Sequence, residues 1–237
     1  MNIFIDSLSA RFGGGATYLR NILPQLACRN DHKFFILLSS GYQQEFIDAV
    51  PANIEVVAVN LAASPLTKRW SLLQLMLPKL LHTCSADVFL ALAENVYLTV
   101  PVPMVMLARN LNIYSSQSLG HRSALTSSII QTIRLMGVQH TMQKAARVVF
   151  VSDSCRGEVL AKVDLEKSKT RVVYHGLSDA YFVGHQPKVQ VPGEDYFLAV
   201  GTVYPHKNYS TLVEAYAAME PNSPNLLIAG RPSNPTT

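Results

Sequence analysis

The chain has 237 residues, a formal net charge of +4, 49% hydrophobic residues and 15% charged residues. This composition excludes a disordered chain and is typical of one large domain, or two small ones, with a buried core. Cys28, Cys84 and Cys155 match neither a disulfide framework nor a zinc pattern, which indicates structural thiols in a reducing compartment. We expect no signal peptide, because a strand begins directly at the N-terminus, and no apolar run is long enough to span a bilayer.

Taken in chain order, the hydrophobic pattern predicts strands that alternate with helices. The predicted strands of the first part are residues 2–6, 33–39, 54–59, 87–92, 104–108, 147–151 and 171–174, and the helices are residues 16–27, 43–50, 66–84, 119–145 and 154–163. A polar stretch bounded by proline and glycine, residues 184–193, is predicted to be a linker. Beyond it we expect a buried strand at 196–200, a helix capped by Asn208 and ending near Met219, and a strand at 225–229.

Strands that are apolar throughout and alternate with helices are typical of parallel sheets built from right-handed βαβ units. The sequence therefore predicts an α/β fold with two Rossmann-like domains. The first, with about seven strands, covers residues 1–183, and the second begins at residue 194 and is incomplete at residue 237.

Acidic residues are scarce in the middle of the chain. Between Val56 and Ser152 only Asp87 and Glu94 are acidic, against eight lysines and arginines, and residues 95–152 contain no carboxylate. A face built from this region would carry a positive potential and favour an anionic partner. The alternative is chance depletion of acids from a buried apolar region.

Three consecutive glycines, Gly13, Gly14 and Gly15, lie between the first strand and the first helix. Glycines at this edge of a parallel sheet let main-chain amides approach a phosphate or a sugar. They do not form the dinucleotide fingerprint G-x-G-x-x-G, and a structural turn without a ligand is the alternative.

A second candidate phosphate site follows the strand at 196–200, where Gly201 and Lys207 precede a helix N-terminus. A lysine there could neutralise a diphosphate together with the helix dipole. The alternative is an exposed surface lysine.

Arg109 and Asn110 directly follow the fifth strand, where α/β folds place ligand-binding side chains. Arg109 could anchor a phosphate or a carboxylate, or it could pair with Glu94. His175 ends the seventh strand, where it could face a ligand or lie in a simple turn.

Several other chemistries lack a motif in this sequence. Glu158 and Glu166 are predicted to lie on a solvated face and not to form a catalytic pair. No D-x-D, H-E-x-x-H, G-x-S-x-G or Cys/His zinc spacing occurs, so we expect neither a metal nor a serine nucleophile.

Four segments in order resemble the family 4 glycosyltransferases of the GT-B fold. They are FGGGATYLRNIL at 12–23, VVFVSDSCR at 148–156, RVVYHGLSDAYF at 171–182 and FLAVGTVYPHKN at 197–208. The resemblance covers nearly the whole chain and implies an acceptor-binding first domain that faces a donor-binding second domain across a cleft.

The resemblance implies specific roles for residues of this chain. Gly14, Gly15, Gly201, Thr202 and Lys207 would bind a nucleotide-diphosphate sugar. Two further pairs complete the assignment: Arg109 and Asn110 on the catalytic side, and Tyr18 and His175 on the acceptor side. The family retains the anomeric configuration of the donor and usually needs no metal or other cofactor.

Three departures from the family pattern accompany the resemblance. Many members have His-Asp where this chain has Arg109 and Asn110, and many have arginine where it has Thr202. The family's E-x7-E motif lies well beyond the strand at 225–229, and no such spacing follows that strand in this sequence, which ends at residue 237. We therefore expect weak or absent turnover from this polypeptide and interpret it as truncated within its donor-binding domain.

The leading hypothesis is a hexosyltransferase of cell-surface polysaccharide synthesis. Its partners would be a nucleotide-sugar donor, a glycan or lipid-linked acceptor and an anionic membrane surface, with no nucleic acid. We expect a cytoplasmic protein in peripheral contact with the inner face of the membrane. The alternatives are a non-catalytic module that binds an acceptor glycan or a partner protein, and a Rossmann-type oxidoreductase, which the missing G-x-G-x-x-G disfavours.

Overall fold

The computed structural model describes residues 1–10, 13–40, 51–60, 66–109, 114, 124–177, 195–203 and 207–230. The chain divides into two compact units. The first comprises Met1–Tyr114 and Ile129–Gly176, and the remainder of the chain is assigned to the second. The helix predicted at 43–50 and the linker predicted at 184–193 lie outside the described residues.

The first unit is built on a seven-stranded parallel sheet, as the sequence predicts. Its strand order is β3-β2-β1-β4-β5-β6-β7. The strands are β1 (Asn2–Asp6), β2 (Lys33–Ser39), β3 (Ile54–Val59), β4 (Val88–Ala91), β5 (Met104–Ala108), β6 (Arg147–Phe150) and β7 (Thr170–Val172).

Helices cover both faces of this sheet. Helix α1 (Gly13–Ala27) packs on one face through Ala16 and Leu19, together with Ile5 and Ile36. The opposite face carries α2 (Leu66–Thr83), α3 (Ala124–Lys144) and α4 (Asp153–Leu160), whose buried residues join Phe4 and Phe89 of the neighbouring strands. Alternate residues of each strand therefore enter two different cores, which is why the strands are apolar throughout.

Local signals set several helix boundaries. The Ser152 hydroxyl accepts a hydrogen bond from the Cys155 main-chain N–H at 3.0 Å, which confirms the predicted N-cap of α4. Helix α2 continues through Pro78. Helix α1 begins at Gly13 and not at Ala16, so the prediction that the three glycines form a loop is wrong. They are the first three residues of the helix.

The described part of the second unit contains two parallel strands, β8 (Tyr196–Val200) and β9 (Asn225–Ala229), joined through α5 (Tyr209–Ala217). Strand β8 was expected to be buried, and this is wrong: Leu198 is 56% exposed and Val200 70% exposed. Two strands and one helix bury too little apolar surface to cover the strand on both faces. Hydrophobicity alone predicts the strand correctly but not its burial.

Among the described residues, no helix combines the length and the apolar character that crossing a membrane requires.

Candidate functional site

The candidate site of the first unit lies at the carboxyl edge of its sheet, beside β1 and β4. These strands are neighbours in space, and the chain leaves β1 toward β2 on one side and β4 toward β5 on the other. Ligands of doubly wound sheets bind at such a reversal of strand order, because the loops diverge and leave a crevice. The segments that follow β1, β4 and β5 all reach this edge.

The N-terminus of α1 provides an open main-chain surface at this edge. Gly13 has a φ of +56°, a conformation that favours glycine. A Cβ atom placed on Gly14 would meet nothing within 4 Å. The first N–H groups of a helix have no partner inside the helix, so they can donate to an anion.

Gly15 is constrained by its neighbours. A Cβ atom on Gly15 would lie 3.2 Å from Ala10 Cα and 3.3 Å from Arg109 Nη2. The absence of a side chain at Gly15 therefore leaves room for the guanidinium of Arg109. Of Gly14 and Gly15, which are both assigned to donor binding, only Gly14 faces open space.

Arg109, Tyr18 and His175 form a cluster that joins residues distant in the sequence. The Arg109 guanidinium carbon lies 5.5 Å from the centre of the Tyr18 ring. The Tyr18 and His175 ring centres are 5.0 Å apart, with the planes tilted by 57°. A cation over an aromatic face is an attractive contact, so the phenol ring orients both neighbours. The predicted catalytic-side arginine and the predicted acceptor-side residues thus share one surface.

Burial and charge shift the pKa values of this cluster. Desolvation lowers the pKa of Arg109, while Glu94 and Tyr18 oppose that change. Desolvation also lowers the pKa of His175, and the nearby Arg109 charge lowers it further. Burial raises the pKa of the Tyr18 phenol, and Arg109 acts in the opposite direction. The cluster therefore holds one cation, a neutral phenol and an imidazole that favours its neutral form.

Glu94 supports Arg109 from below the surface. Its side chain is buried, and Oε1 accepts a hydrogen bond from the Arg109 main-chain N–H at 2.6 Å. The predicted alternative, a pair between Arg109 and Glu94, is therefore supported. The Glu94 carboxylate binds the Arg109 main chain, and its charge raises the pKa of the guanidinium and so favours the charged form. Asn110 lies outside the described residues.

A buried polar network beneath the same edge was missed from the sequence. Asp6, at the end of β1, accepts hydrogen bonds from the Leu8 main-chain N–H at 2.9 Å and from the Tyr97 hydroxyl. Asn95 donates to Asp6 at 3.5 Å and to the Tyr97 hydroxyl at 3.3 Å. Burial raises the pKa of the Asp6 carboxyl, and these hydrogen bonds oppose the rise. An aspartate that ends an apolar strand was the signal available in the sequence.

The second unit places Gly201 and Lys207 close together. Gly201 has a φ of +150°, and its N–H donates to the Ala229 carbonyl at 2.9 Å. Lys207 is exposed, and its Cε lies 4.0 Å from the Cβ position of Gly201. Thr202 follows Gly201 and is half-buried. The predicted lysine and glycine therefore lie next to each other.

The start of α5 differs from the prediction in one detail. Asn208 occupies the N-cap position, but its φ is +53° and its side chain accepts no main-chain N–H. The Asn208 Oδ1 accepts a hydrogen bond from the Thr211 hydroxyl at 3.0 Å. The first N–H groups of α5 are thus not capped by that side chain.

Glu158 and Glu166 are exposed, as expected of a solvated face. Within the described residues no group of three or more His, Cys, Asp or Glu side chains is arranged to hold a metal ion. The three cysteines are free thiols.

Neither a family model nor a curated protein sequence matches the chain. Solved structures do match it along nearly its whole length. WaaG, a glycosyltransferase involved in lipopolysaccharide biosynthesis, superposes with a TM-score of 0.68 at 14% identity, over 98% of this chain and 64% of its own. Sucrose-phosphate synthase from Thermosynechococcus elongatus gives 0.67 at 15% identity, over 99% and 63%.

The chain has the GT-B-like fold. It combines a complete N-terminal Rossmann-like domain with the first two strands and first helix of a second one. The lipopolysaccharide outer core galactosyltransferase WaaB is similar over 96% of this chain and 60% of its own, with a TM-score of 0.56 at 13% identity. The chain thus spans less than two thirds of the length of these glycosyltransferases.

The fold by itself does not select the reaction. A UDP-GlcNAc 2-epimerase from Methanocaldococcus jannaschii also matches, with a TM-score of 0.52 at 13% identity, over 96% of this chain and 65% of its own. At these identities the likeness establishes the fold alone. The reaction has to be argued from the residues of the site.

Proposed function

We propose that this sequence encodes a glycosyltransferase that moves a hexose from a nucleotide-diphosphate sugar to a glycan or lipid-linked acceptor, with retention of anomeric configuration, in polysaccharide synthesis. The observation that carries the proposal is the Arg109–Tyr18–His175 cluster beside the open N-terminus of α1. It brings a cation, main-chain donors and two aromatic rings to one edge of the sheet. Phosphate and sugar groups are recognised by such groups.

Charge development defines what the residues do in this reaction. The bond between the anomeric carbon and a phosphate oxygen breaks, a bond from the acceptor oxygen to the anomeric carbon forms, and the acceptor hydroxyl proton passes to an oxygen of the departing diphosphate. Negative charge accumulates on the departing nucleotide diphosphate, so cations and N–H donors aimed at it lower the barrier. Arg109 and the amide of Gly14 would supply these in the first unit, and Lys207 beside Gly201 in the second.

The acceptor side is assigned to the rings. Aromatic rings commonly pack against the apolar faces of sugars, and the Tyr18 hydroxyl can donate a hydrogen bond because burial keeps the phenol protonated. His175 favours its neutral form, so it can accept a proton or a hydrogen bond near neutral pH. We propose no metal or other cofactor for this chemistry, because basic side chains and main-chain N–H groups can balance the charge of a diphosphate.

Calorimetry with nucleotide-diphosphate sugars tests the proposal. We expect binding that weakens at least about tenfold in Lys207→Ala, since a charged hydrogen bond contributes roughly 1.5–3 kcal/mol. Lys167→Ala is the matched control, because Lys167 is also an exposed lysine. Equal losses in the two variants would remove Lys207 from the site.

The same measurement separates the alternatives. Binding of a glycan without binding of any donor would support the non-catalytic module, and binding of a nicotinamide cofactor would support the oxidoreductase. If the chain isomerises the sugar in the absence of an acceptor, the proposed transfer reaction is wrong. The chain would then catalyse a reaction like that of the epimerase that shares the fold.

A further inference from the structure

The segment that follows β4 contacts the ends of both neighbouring strands. Strand β4 lies between β1 and β5 in the sheet. Glu94 Oε1 accepts a hydrogen bond from the main-chain N–H of Arg109, which follows β5, at 2.6 Å. The next residue, Asn95, donates to the carboxylate of Asp6, which ends β1, at 3.5 Å. Two adjacent residues therefore connect the strand ends on either side of β4.

Helices α2 and α3 hold this segment in place. The Gln74 side chain of α2 donates a hydrogen bond to the Val96 carbonyl at 2.9 Å. The Tyr97 main-chain N–H donates to the Thr141 hydroxyl of α3 at 3.1 Å. A Cβ atom on Gly137 of α3 would lie only 2.8 Å from a methyl carbon of Val96, so this helix packs closely against the segment. A carboxylate on the segment therefore has a fixed position relative to the sheet.

Glu94 is suited to an indirect role in the candidate site. It is 3% exposed, so its carboxylate acts from beneath the surface. A buried carboxylate is costly unless hydrogen bonds and a nearby cation compensate for the lost water. The Arg109 N–H supplies such a hydrogen bond, and the Arg109 guanidinium is a nearby cation. Loss of Glu94 would therefore act on Arg109 and not directly on a bound substrate.

Arg109 occupies a narrow position at the sheet edge. Its guanidinium carbon lies 5.5 Å from the centre of the Tyr18 ring, and its Nη2 lies 3.3 Å from the Cβ position of Gly15. A shift of the Arg109 main chain by about 1 Å would move the guanidinium away from the ring or against α1. Misplacement on this scale can lower the rate of an enzyme by about a hundredfold.

We propose that Glu94 is a positioning residue of the candidate site. Through its hydrogen bond to the Arg109 main chain, it holds the guanidinium beside Tyr18, in the position from which Arg109 binds the diphosphate of a donor. The identity of that anion rests on the proposed function, whereas the action of Glu94 on Arg109 does not.

Two variants separate the hydrogen bond of Glu94 from its charge. Glu94→Gln keeps an oxygen that can accept the Arg109 N–H, whereas Glu94→Ala removes both the acceptor and the charge. Desolvation lowers the pKa of His175 and the Arg109 charge lowers it further, so this pKa reports where that charge lies. In Glu94→Ala it should rise toward 6.5, because the guanidinium is released. In Glu94→Gln it should stay at or below its native value, because the guanidinium remains and a negative charge is lost.

An NMR titration of the His175 ring protons measures these values without any ligand. Ser7→Ala is the matched control: it removes another buried hydrogen bond at the same sheet edge, from the Ser7 hydroxyl to the Leu37 carbonyl at 2.8 Å. It should leave the His175 pKa unchanged. An equal result in Glu94→Ala and Glu94→Gln, or the same rise in Ser7→Ala as in Glu94→Ala, would overturn the proposal. Circular dichroism verifies that each variant folds.

Calorimetry with inorganic pyrophosphate tests the consequence for an anion. The affinity should fall at least about tenfold in Glu94→Ala, because the charged hydrogen bond from Arg109 is lost, and should not fall in Glu94→Gln. In the Arg109→Gln background, Glu94→Ala should weaken binding no further, because the two residues act as one unit. Fully additive losses would overturn the proposal.

The two measurements separate this proposal from the proposed function. If the unmodified chain does not bind pyrophosphate, the role of Arg109 in the proposed function is wrong. The ligand-free titration then decides by itself whether Glu94 positions Arg109.

Discussion

The guanidinium of Arg109 stacks over the ring of Tyr18, 91 positions earlier in the sequence, with 5.5 Å between the guanidinium carbon and the ring centre. The two residues come from the end of β5 and from the first turns of α1. Their contact joins two elements that approach the same sheet edge from different strands. The His175 ring also contacts the Tyr18 ring, with 5.0 Å between the ring centres.

Removing the Arg109 charge should raise the pKa of His175. Arg109 disfavours the imidazolium in addition to desolvation, so the native histidine should titrate below its usual value of 6.5. In Arg109→Gln only desolvation remains, and the pKa should move upward toward 6.5. An NMR titration of the His175 ring protons measures both values.

Arg134→Gln is the control for this titration, because it removes one exposed arginine from α3. A His175 pKa that is the same in Arg109→Gln as in the unmodified protein would contradict the cluster. The same shift makes stability depend on pH. Because the pKa of His175 is lower in the folded state than in the unfolded state, the free energy of unfolding decreases as the pH falls through the unfolded-state pKa.

Alanine should have opposite effects at two adjacent glycines. Gly14→Ala should stabilise the protein by up to about 1 kcal/mol, because alanine is the better helix former and its Cβ meets no atom. Gly15→Ala should lose that gain, because its Cβ would press on the Ala10 main chain and on Arg109. Urea unfolding measures the difference. A Gly15→Ala variant as stable as Gly14→Ala would show that Arg109 does not occupy this position.

Removing the Tyr97 hydroxyl should destabilise the fold by about 1–3 kcal/mol at neutral pH, because the buried Asp6 carboxylate loses a donor. Tyr114→Phe is the control, because the hydrogen bond that the Tyr114 hydroxyl donates within the described residues goes to the weakly accepting Met142 sulfur, at 3.4 Å. That variant should cost well under about 1 kcal/mol.

The pH dependence of this loss has a definite sign. Burial raises the pKa of Asp6 in the folded protein above its ordinary value of 3.8. At pH values between the unfolded and the folded pKa, the folded state therefore binds more protons than the unfolded state. The Asp6 contribution to stability therefore falls as pH rises through this window. In Tyr97→Phe the window should extend to higher pH, because the Tyr97 hydrogen bond lowers the Asp6 pKa. Urea unfolding at a series of pH values measures this range in both proteins. The same range in Tyr97→Phe as in the unmodified protein would show that Tyr97 and Asp6 are not coupled.

Alanine at Gly230 should loosen the sheet of the second unit. A Cβ there would overlap the Gly201 carbonyl, which also accepts a hydrogen bond from the Tyr209 hydroxyl at 3.1 Å. Both partners are main chain, so the strands have to shift. Amide hydrogen exchange at Gly201, whose N–H donates to Ala229, should become faster. Gly176→Ala, which meets nothing within 4 Å, is the control, and equal exchange in both variants would contradict the overlap.

The sequence by itself determined the order and type of the elements. A strand such as Met104–Ala108 contributes alternate residues to two cores, so all of its residues are apolar. This continuous apolar run is visible in the local sequence and predicts the strand. The Ser152 cap was predictable for the same reason, since donor and acceptor lie three residues apart. Arg109, Tyr18 and His175 were each selected by their positions near strand ends or by the family resemblance.

Only the tertiary structure decided which of these residues meet. The contacts between Arg109 and Tyr18, Asp6 and Tyr97, and Gly15 and Arg109 join residues that lie about 90 positions apart in the sequence. Such distances are set by strand order, which no local pattern encodes. The exposure of β8 was mispredicted for a related reason: burial depends on what packs against a strand, whereas hydrophobicity belongs to the strand itself.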